Sequence, residues 1–284
     1  MAKAVSDFLV VSDIDGTLLE AGFGVPKDNI DAVDEFISRK GRFTVCTSRG
    51  IESVGKFGAC ITLTAPAILY NGAMIYDYRK NKILYERLLG SETREIVQDV
   101  LSKYPNVGCG AFSRAKLYVF KMNKEMFDYV NLEHISFVVS DIDKTPDNWN
   151  KISICGEEKD ISEIAQYIQG RKRTAEVFQA VDVISTGKNV CELIPEGVDK
   201  GEGLLRLCEI VNVTKDNVVA IGNDFEDMPM FLNAGISVAV GDAPPEVRKS
   251  VEIVVKSCLH GGVAQILRSL ESMLDGFEQI RLEM

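Results

Sequence analysis

Two carboxylates stand two residues apart in Asp13-Ile14-Asp15-Gly16-Thr17-Leu18, directly behind the apolar run Phe8–Val11. Where an apolar strand ends and the chain turns, side chains at i and i+2 can both face one crevice, and Gly16 permits the tight turn. Such a pair can divide the work of a reaction, one carboxylate as nucleophile and metal ligand, the other as general acid and base. Alone, a D-x-D before glycine is equally an ordinary strand end. The chain holds its own control in Ser140-Asp141-Ile142-Asp143, which repeats the Ser-Asp-Ile-Asp string but runs on into Lys144-Thr145-Pro146. We read this second pair as a solvated turn.

A carboxylate that attacks phosphorus needs cations and hydrogen-bond donors around three equatorial oxygens. Three further strings supply such groups, each behind its own apolar run. Thr47-Ser48-Arg49 follows Arg42–Cys46. Lys200 opens a helical stretch shortly after Val190–Ile194. Gly222-Asn223-Asp224-Phe225-Glu226-Asp227 follows Val218–Ile221 and adds an acidic cluster. Oxygen-rich ligation suits Mg²⁺ rather than zinc, and His134 and His260 are the chain's 2 histidines. Each string has a plain structural explanation, as a helix cap, a surface lysine or an acidic loop. Four of them at strand ends are harder to dismiss.

The elements that must position these strings read as an α/β fold, a Rossmann-like parallel-sheet core. Apolar runs at 8–11, 42–46, 67–70, 218–221 and 236–240 alternate with helical spacing at 29–40, 200–211, 226–233 and 262–274. Runs that are apolar throughout suit strands buried on both faces. Between them, short strand candidates at 82–85, 116–121, 135–140, 151–155 and 190–194 interleave with helical stretches at 91–103 and 160–169. This organisation predicts a discontinuous core, 1–81 with 196–284, and an inserted α+β domain over 82–195.

Composition narrows the partners. Lys+Arg of 32 against Asp+Glu of 42 gives a net charge of −10, which repels nucleic acid and anionic membranes. An anionic substrate must then be held by a few local cations or a metal. The 7 scattered cysteines form no C-x-x-C pair and fit a reducing, cytoplasmic setting. The charge-free stretch Phe57–Tyr76 is broken by Gly58, Pro66, Asn71 and Gly72, so it reads as buried strands and a turn, not a membrane span.

Taken together, the strings resemble the haloacid dehalogenase superfamily, and within it the Cof-type phosphatases of subclass IIB. D-x-D-G-T-L is complete at Asp13–Leu18, the T-G-R motif stands as Thr47-Ser48-Arg49, and N-G-A as Asn71-Gly72-Ala73. The third-motif lysine matches Lys200 within Ile194–Gly201, and Asn233–Ala239 and Gly262-Val263-Ala264 match two later strings. The resemblance implies that Asp13 attacks phosphorus to form an aspartyl-phosphate. Asp15 would protonate the leaving oxygen and then activate water, with its carbonyl on Mg²⁺. Thr47 and Lys200 would hold the phosphoryl oxygens, and Gly16, Thr17, Ser48, Arg49 and Asn71 are the expected substrate contacts. The inserted domain would be a cap that closes over the site and selects the leaving group.

The fourth motif departs from the family's G-D-x-x-N-D, with Asn223 in place of the first aspartate and Glu226 in place of the asparagine. The implied Mg²⁺ shell is Asp13, Asp15 and Asn223 supported by Asp227, with Asp224 as the alternative ligand. The expected activity is Mg²⁺-dependent hydrolysis of a small phosphorylated metabolite, a sugar phosphate foremost. Three competing readings are a phosphomutase of the same superfamily, a catalytically weakened phosphometabolite-binding protein, and a receiver-type module. The inserted domain and the Asp15-Gly16-Thr17 turn argue against the last. Oligomeric state is not legible.

Overall fold

The computed structural model describes residues 5–20, 24–58, 60–185 and 188–270. In chain order its principal elements are β1 (Leu9–Ser12), α1 (Lys27–Ser38), β2 (Arg42–Val45), α2 (Ile51–Phe57), β3 (Ala67–Leu69), β4 (Met74–Asp77) and β5 (Lys82–Glu86). Then come α3 (Thr93–Lys103), β6 (Gly108–Ser113), β7 (Lys116–Lys121), α4 (Lys124–Leu132), β8 (Phe137–Val139), β9 (Lys151–Cys155) and α5 (Glu158–Lys172). The chain continues with β10 (Val181–Ser185), β11 (Val190–Pro195), α6 (Lys200–Val211), β12 (Val218–Gly222), α7 (Met228–Leu232), β13 (Ile236–Ala239) and β14 (Ile253–Val254).

Contacts divide the chain into two compact units. The first draws its described residues from 1–47, 57–84 and 199–284, the second from 48–56 and 85–198. The first unit is built on a parallel sheet of order β14-β13-β12-β1-β2. Every residue of β1 and β12 is buried, as expected of central parallel strands with both faces covered. On α1 the inward residues Asn29, Ala32, Val33 and Phe36 follow the i, i+3, i+4, i+7 stripe that seats a helix on a sheet. Strand order reverses between β1 and β12, and at such a switch point an α/β sheet leaves a crevice at its strands' carboxyl ends.

The second unit centres on a sheet of order β10-β11-β9-β6-β7-β8. On one face Cys109, Ala111, Ile152, Ile154 and Leu193 join Ile96, Val97, Val100, Ile161, Ile164 and Ile168 of α3 and α5 in a single apolar core. The other face carries Lys151 and Glu192, both fully buried.

Several elements differ from the sequence reading. The units divide at 84/85 and 198/199 rather than at 81/82 and 195/196, and 48–56 clusters with the inserted unit. Side-chain bonds explain the latter: Glu52 accepts from the Ser136 amide and hydroxyl at 3.0 and 2.6 Å, and Lys56 donates to the His134 carbonyl at 2.5 Å. Strand β6, Gly-Cys-Gly-Ala-Phe-Ser, is missed because its glycines read as breakers, although Cys109 and Ala111 are buried. Helix α4 and strand β10 are also absent from that reading. The stretch 226–233 is a 3₁₀ turn at Phe225–Asp227 followed by the short α7. The closing helix is described over 262–270, and 271–274 lie outside the described residues. Among the described residues no helix is long and apolar enough to cross a membrane.

Candidate active site

Asp13 sits one residue past β1, where its amide donates to the Ile221 carbonyl at 2.8 Å and so extends the β1–β12 ladder. Its carboxylate is thereby fixed at the switch point, only 5% exposed. The next turn folds back on itself, with the Gly16 amide donating to the Leu19 carbonyl at 2.8 Å. Gly16 has φ of +79°, and a Cβ there would lie 2.4 Å from the Asn223 side chain. Glycine is required for both the backbone and the space.

Lys200 reaches the same point from α6. Asp199 caps that helix by accepting from the Glu202 amide at 2.8 Å, which starts the helix at Lys200. The Lys200 ammonium donates to Asp13 Oδ1 at 2.8 Å and to Asp227 Oδ1 at 2.5 Å, with all three side chains buried. Burial pushes the Asp13 carboxyl up to about 7; Asp227 and Asp15 add to the rise and Lys200 opposes it. Burial works against the Lys200 charge, but the two carboxylates outweigh it and hold its pKa well above the ordinary lysine range. The ammonium is therefore permanent.

Thr47 ends the run after β2. Its amide donates to the Ile68 carbonyl and its carbonyl accepts from the Asn71 amide, both at 3.0 Å. Asn71 itself is left-handed, with φ of 54°, and Gly72 follows at φ of +105°. A Cβ on Gly72 would lie 2.2 Å from the Asp199 carbonyl, so the Asn-Gly pair packs directly against the start of α6. The Asn71 side chain is 1% exposed, and neither of its amide atoms has a hydrogen-bond partner. A buried amide with both ends unsatisfied is a position at which a ligand or a water can supply the partners.

The β12 loop completes the cluster. Asp227 Oδ2 accepts from the Asn223 and Asp224 amides at 2.8 and 3.1 Å, while its Oδ1 holds Lys200. Both oxygens are engaged, so Asp227 braces the loop and the lysine instead of offering a free metal ligand. Asp224 is exposed and caps the turn through the Phe225 amide at 2.7 Å. The Asn223 amide faces Thr17 Oγ1 at 2.9 Å, and Asp13 Oδ2 and the Asp15 carbonyl at 3.2 Å each. Turned one way it donates its N–H groups to all three; turned the other, its oxygen joins theirs.

That second orientation fits a hard cation. Octahedral Mg²⁺ with ligands at about 2.1 Å sets neighbouring oxygens about 3 Å apart, close to the spacing observed here. Among the described residues no three His, Cys, Asp or Glu side chains form a metal cage. The donors present are one carboxylate, one backbone carbonyl and one amide oxygen.

Of the expected site residues, the first unit thus gathers Asp13, Asp15, Gly16, Thr17, Thr47, Asn71, Lys200, Asn223 and Asp227. Thr17 is fully buried, with its hydroxyl on Asn223, and Gly16 packs beneath that amide. Both therefore pack against Asn223. Ser48 and Arg49 fall in the second unit, where Arg49 donates to Ser53 Oγ at 3.1 Å. The second Asp-x-Asp is an exposed turn with Asp141 paired to Lys144 at 2.5 Å. Asp199 is a residue of this site that sequence reasoning missed. Asp199 was within sight, since an Asp directly before a helical stretch is a cap signal.

A buried carboxylate at a strand's carboxyl end, held by a permanent ammonium beside a set of oxygen donors, defines a class of α/β enzyme built to stabilise a transferring anionic group. Residues 10–267 match the haloacid dehalogenase-like hydrolase family, and the chain belongs to it. It is similar to the stress response protein YhaX of Bacillus subtilis, 27% identical over 93% of each chain. It is also similar to the 5-amino-6-(5-phospho-D-ribitylamino)uracil phosphatase YcsE of the same organism, 22% identical over 92% of this chain and 94% of that one. The fold matches the subclass IIB sugar phosphatase BT4131 with a TM-score of 0.77 at 16% identity, covering 93% and 98% of the two chains. The protein is a phosphatase of the Cof-type branch of this family.

Proposed function

We propose that the protein hydrolyses phosphomonoesters of small metabolites, foremost sugar or polyol phosphates, through an aspartyl-phosphate on Asp13. A carboxylate oxygen of Asp13 attacks phosphorus while the P–O bond to the leaving group breaks, and Asp15 gives the departing oxygen its proton. Asp15 then takes a proton from water as the water attacks phosphorus, the Asp13–phosphorus bond breaks, and inorganic phosphate leaves. Lys200 offsets charge on Asp13 and on the phosphoryl group, with the Thr47 hydroxyl and the Asn71 amide on its oxygens. The observation that carries this reading is the buried Asp13–Lys200–Asp227 line beside the unsatisfied Asn71 amide.

Asp13, the Asp15 carbonyl and Asn223 would hold Mg²⁺, which neutralises phosphoryl charge when bound. The inserted unit would serve as the cap that selects the leaving group. The names of YcsE and BT4131 support a phosphorylated polyol or sugar as the substrate class.

The direct test is phosphate release from a panel of sugar, polyol, nucleotide and cofactor monophosphates, with and without Mg²⁺. Mg²⁺-dependent release led by sugar or polyol phosphates is expected. Phosphoryl transfer between sugar positions without free phosphate would make the protein a mutase. A neutral amide is a weaker Mg²⁺ ligand than a carboxylate, so Asn223→Asp should tighten Mg²⁺ about tenfold or more by calorimetric titration. Asp224→Asn should leave it unchanged, because Asp224 points away to cap its own turn. Equal Mg²⁺ affinity in wild type and Asn223→Asp would remove residue 223 from the metal shell.

A further inference from the structure

The first unit carries a cleft of about 530 Å³ that none of the roles above uses, and every residue lining it belongs to that unit. It lies away from the catalytic crevice. Thr64, on one wall, donates its amide to the Phe43 carbonyl at 2.9 Å, near the start of β2, whereas Thr47 lies past the end of that strand. Ile210 and Val211, also in the wall, close α6, whose first residue is Lys200. At a rise of about 1.5 Å per residue, about 16 Å of helix separates Val211 from Lys200.

The walls are formed in advance of any ligand. The Thr64 hydroxyl accepts from the Phe43 amide at 2.8 Å and the Pro66 carbonyl accepts from the Thr44 hydroxyl at 2.9 Å, which ties the segment before β3 to β2. Asp77 Oδ1 accepts from the Arg79 and Lys80 amides at 3.0 and 3.1 Å and so fixes the turn between β4 and β5. Asp77 Oδ2 lies 3.5 Å from Lys80 Nζ. Asp77 is the one acid in the lining, and both its oxygens are engaged within this turn. The exposed Arg79 side chain has no ion pair or hydrogen bond with another described residue. The lining therefore sets two cations against one carboxylate, on a chain whose net charge is −10. Leu84, Ile210 and Val211 supply apolar surface beside that charge, and Ile210 is 38% exposed. A preformed cleft of this size, apolar with a few placed polar groups, has the character of a small-molecule site, and its local charge favours an anion.

We propose that this cleft is a second, non-catalytic binding site for a small organic anion, with one negative group on an apolar body. The anionic group pairs with Arg79, with Lys80 beside it, and the body lies on Leu84, Ile210 and Val211. No residue is shared with the active site, so the proposal stands apart from the phosphatase reading.

The test titrates the full-length protein with two fluorescent probes, anilinonaphthalene sulfonate and phenylnaphthylamine, which carries the same ring body without the sulfonate. One sulfonate per chain is expected, bound about tenfold or more tightly than the neutral amine, as one charge-assisted contact gives. Arg79→Glu should fold like wild type, because its side chain has no partner to lose. It should weaken the sulfonate about tenfold or more and leave the amine within about twofold. Ile210→Trp, which fills the cleft, should weaken both probes. Lys249→Glu changes the net charge equally from an exposed position outside the lining and should change neither. Phosphate release by Arg79→Glu without probe should match wild type. Equal affinity for the two probes would overturn the proposal, and so would sulfonate binding that Arg79→Glu leaves intact or that Lys249→Glu weakens as much. A slower Arg79→Glu enzyme would overturn the separation from catalysis.

Discussion

Asp13→Asn should abolish phosphate release, by at least about 10³-fold and by as much as about 10⁶-fold if no other group attacks phosphorus. An amide is isosteric with the carboxylate but is no nucleophile toward a phosphate ester. The fold should survive. Lys200 keeps its bond to Asp227 at 2.5 Å, so the ammonium is not stranded. The substitution also relieves a carboxylate whose burial pushes its pKa up to about 7. Stability within about 1–2 kcal/mol of wild type, read from denaturant melts, is the expected companion result. Wild type quenched during turnover should carry a hydroxylamine-labile phosphoryl group that the variant lacks. Retention of a tenth of the activity in Asp13→Asn would move the nucleophile elsewhere.

Much of this site was legible because its strings sit at the ends of strands that are apolar throughout. The two Ser-Asp-Ile-Asp strings show why the context decides. Behind Asp13 lies β1, buried at every residue, and behind Asp141 lies β8, exposed at every residue. Gly16 was equally readable, since its positive φ and the contact with Asn223 both demand glycine. Hydrogen-bond allegiance is what sequence could not give. Thr17 and Asp227 belong to the expected motifs, yet Thr17 braces Asn223, and both Asp227 oxygens are held by Lys200 and two loop amides. The first depends on a residue about two hundred positions away, the second on Lys200 in another element and on amides of its own loop. Lys151 and Glu192 were hidden for a different reason. In Lys-Ile-Ser-Ile-Cys the alternation reads as one core face and one solvated face. Here the second face is also covered, and only the tertiary arrangement reveals that its polar residues are buried.

Lys200→Met should show the largest loss of stability. The ammonium is the shared partner of two buried carboxylates, and methionine fills its volume without its charge. Removing one partner of a buried ionic group costs about 3–5 kcal/mol, a serious fraction of the roughly 5–15 kcal/mol that holds a domain together. Activity should vanish as well, since nothing then offsets charge on Asp13. The pH dependence separates this cause from simple loss of packing. Without Lys200, burial raises the folded-state pKa of Asp13 unopposed, while in the unfolded chain it stays near 4. Between those two values the folded state holds more protons than the unfolded state, so stability falls as pH rises. The deficit against wild type should therefore be smaller at pH 5 than at pH 8 in metal-free denaturant melts. Adding Asp227→Asn to Lys200→Met removes one of the two uncompensated charges while an amide oxygen can still accept from the Asn223 loop. It should return part of the lost stability and none of the activity. A deficit that ignores pH, or no gain from Asp227→Asn, would mean that Lys200 supports the fold through its contacts alone and not through its charge.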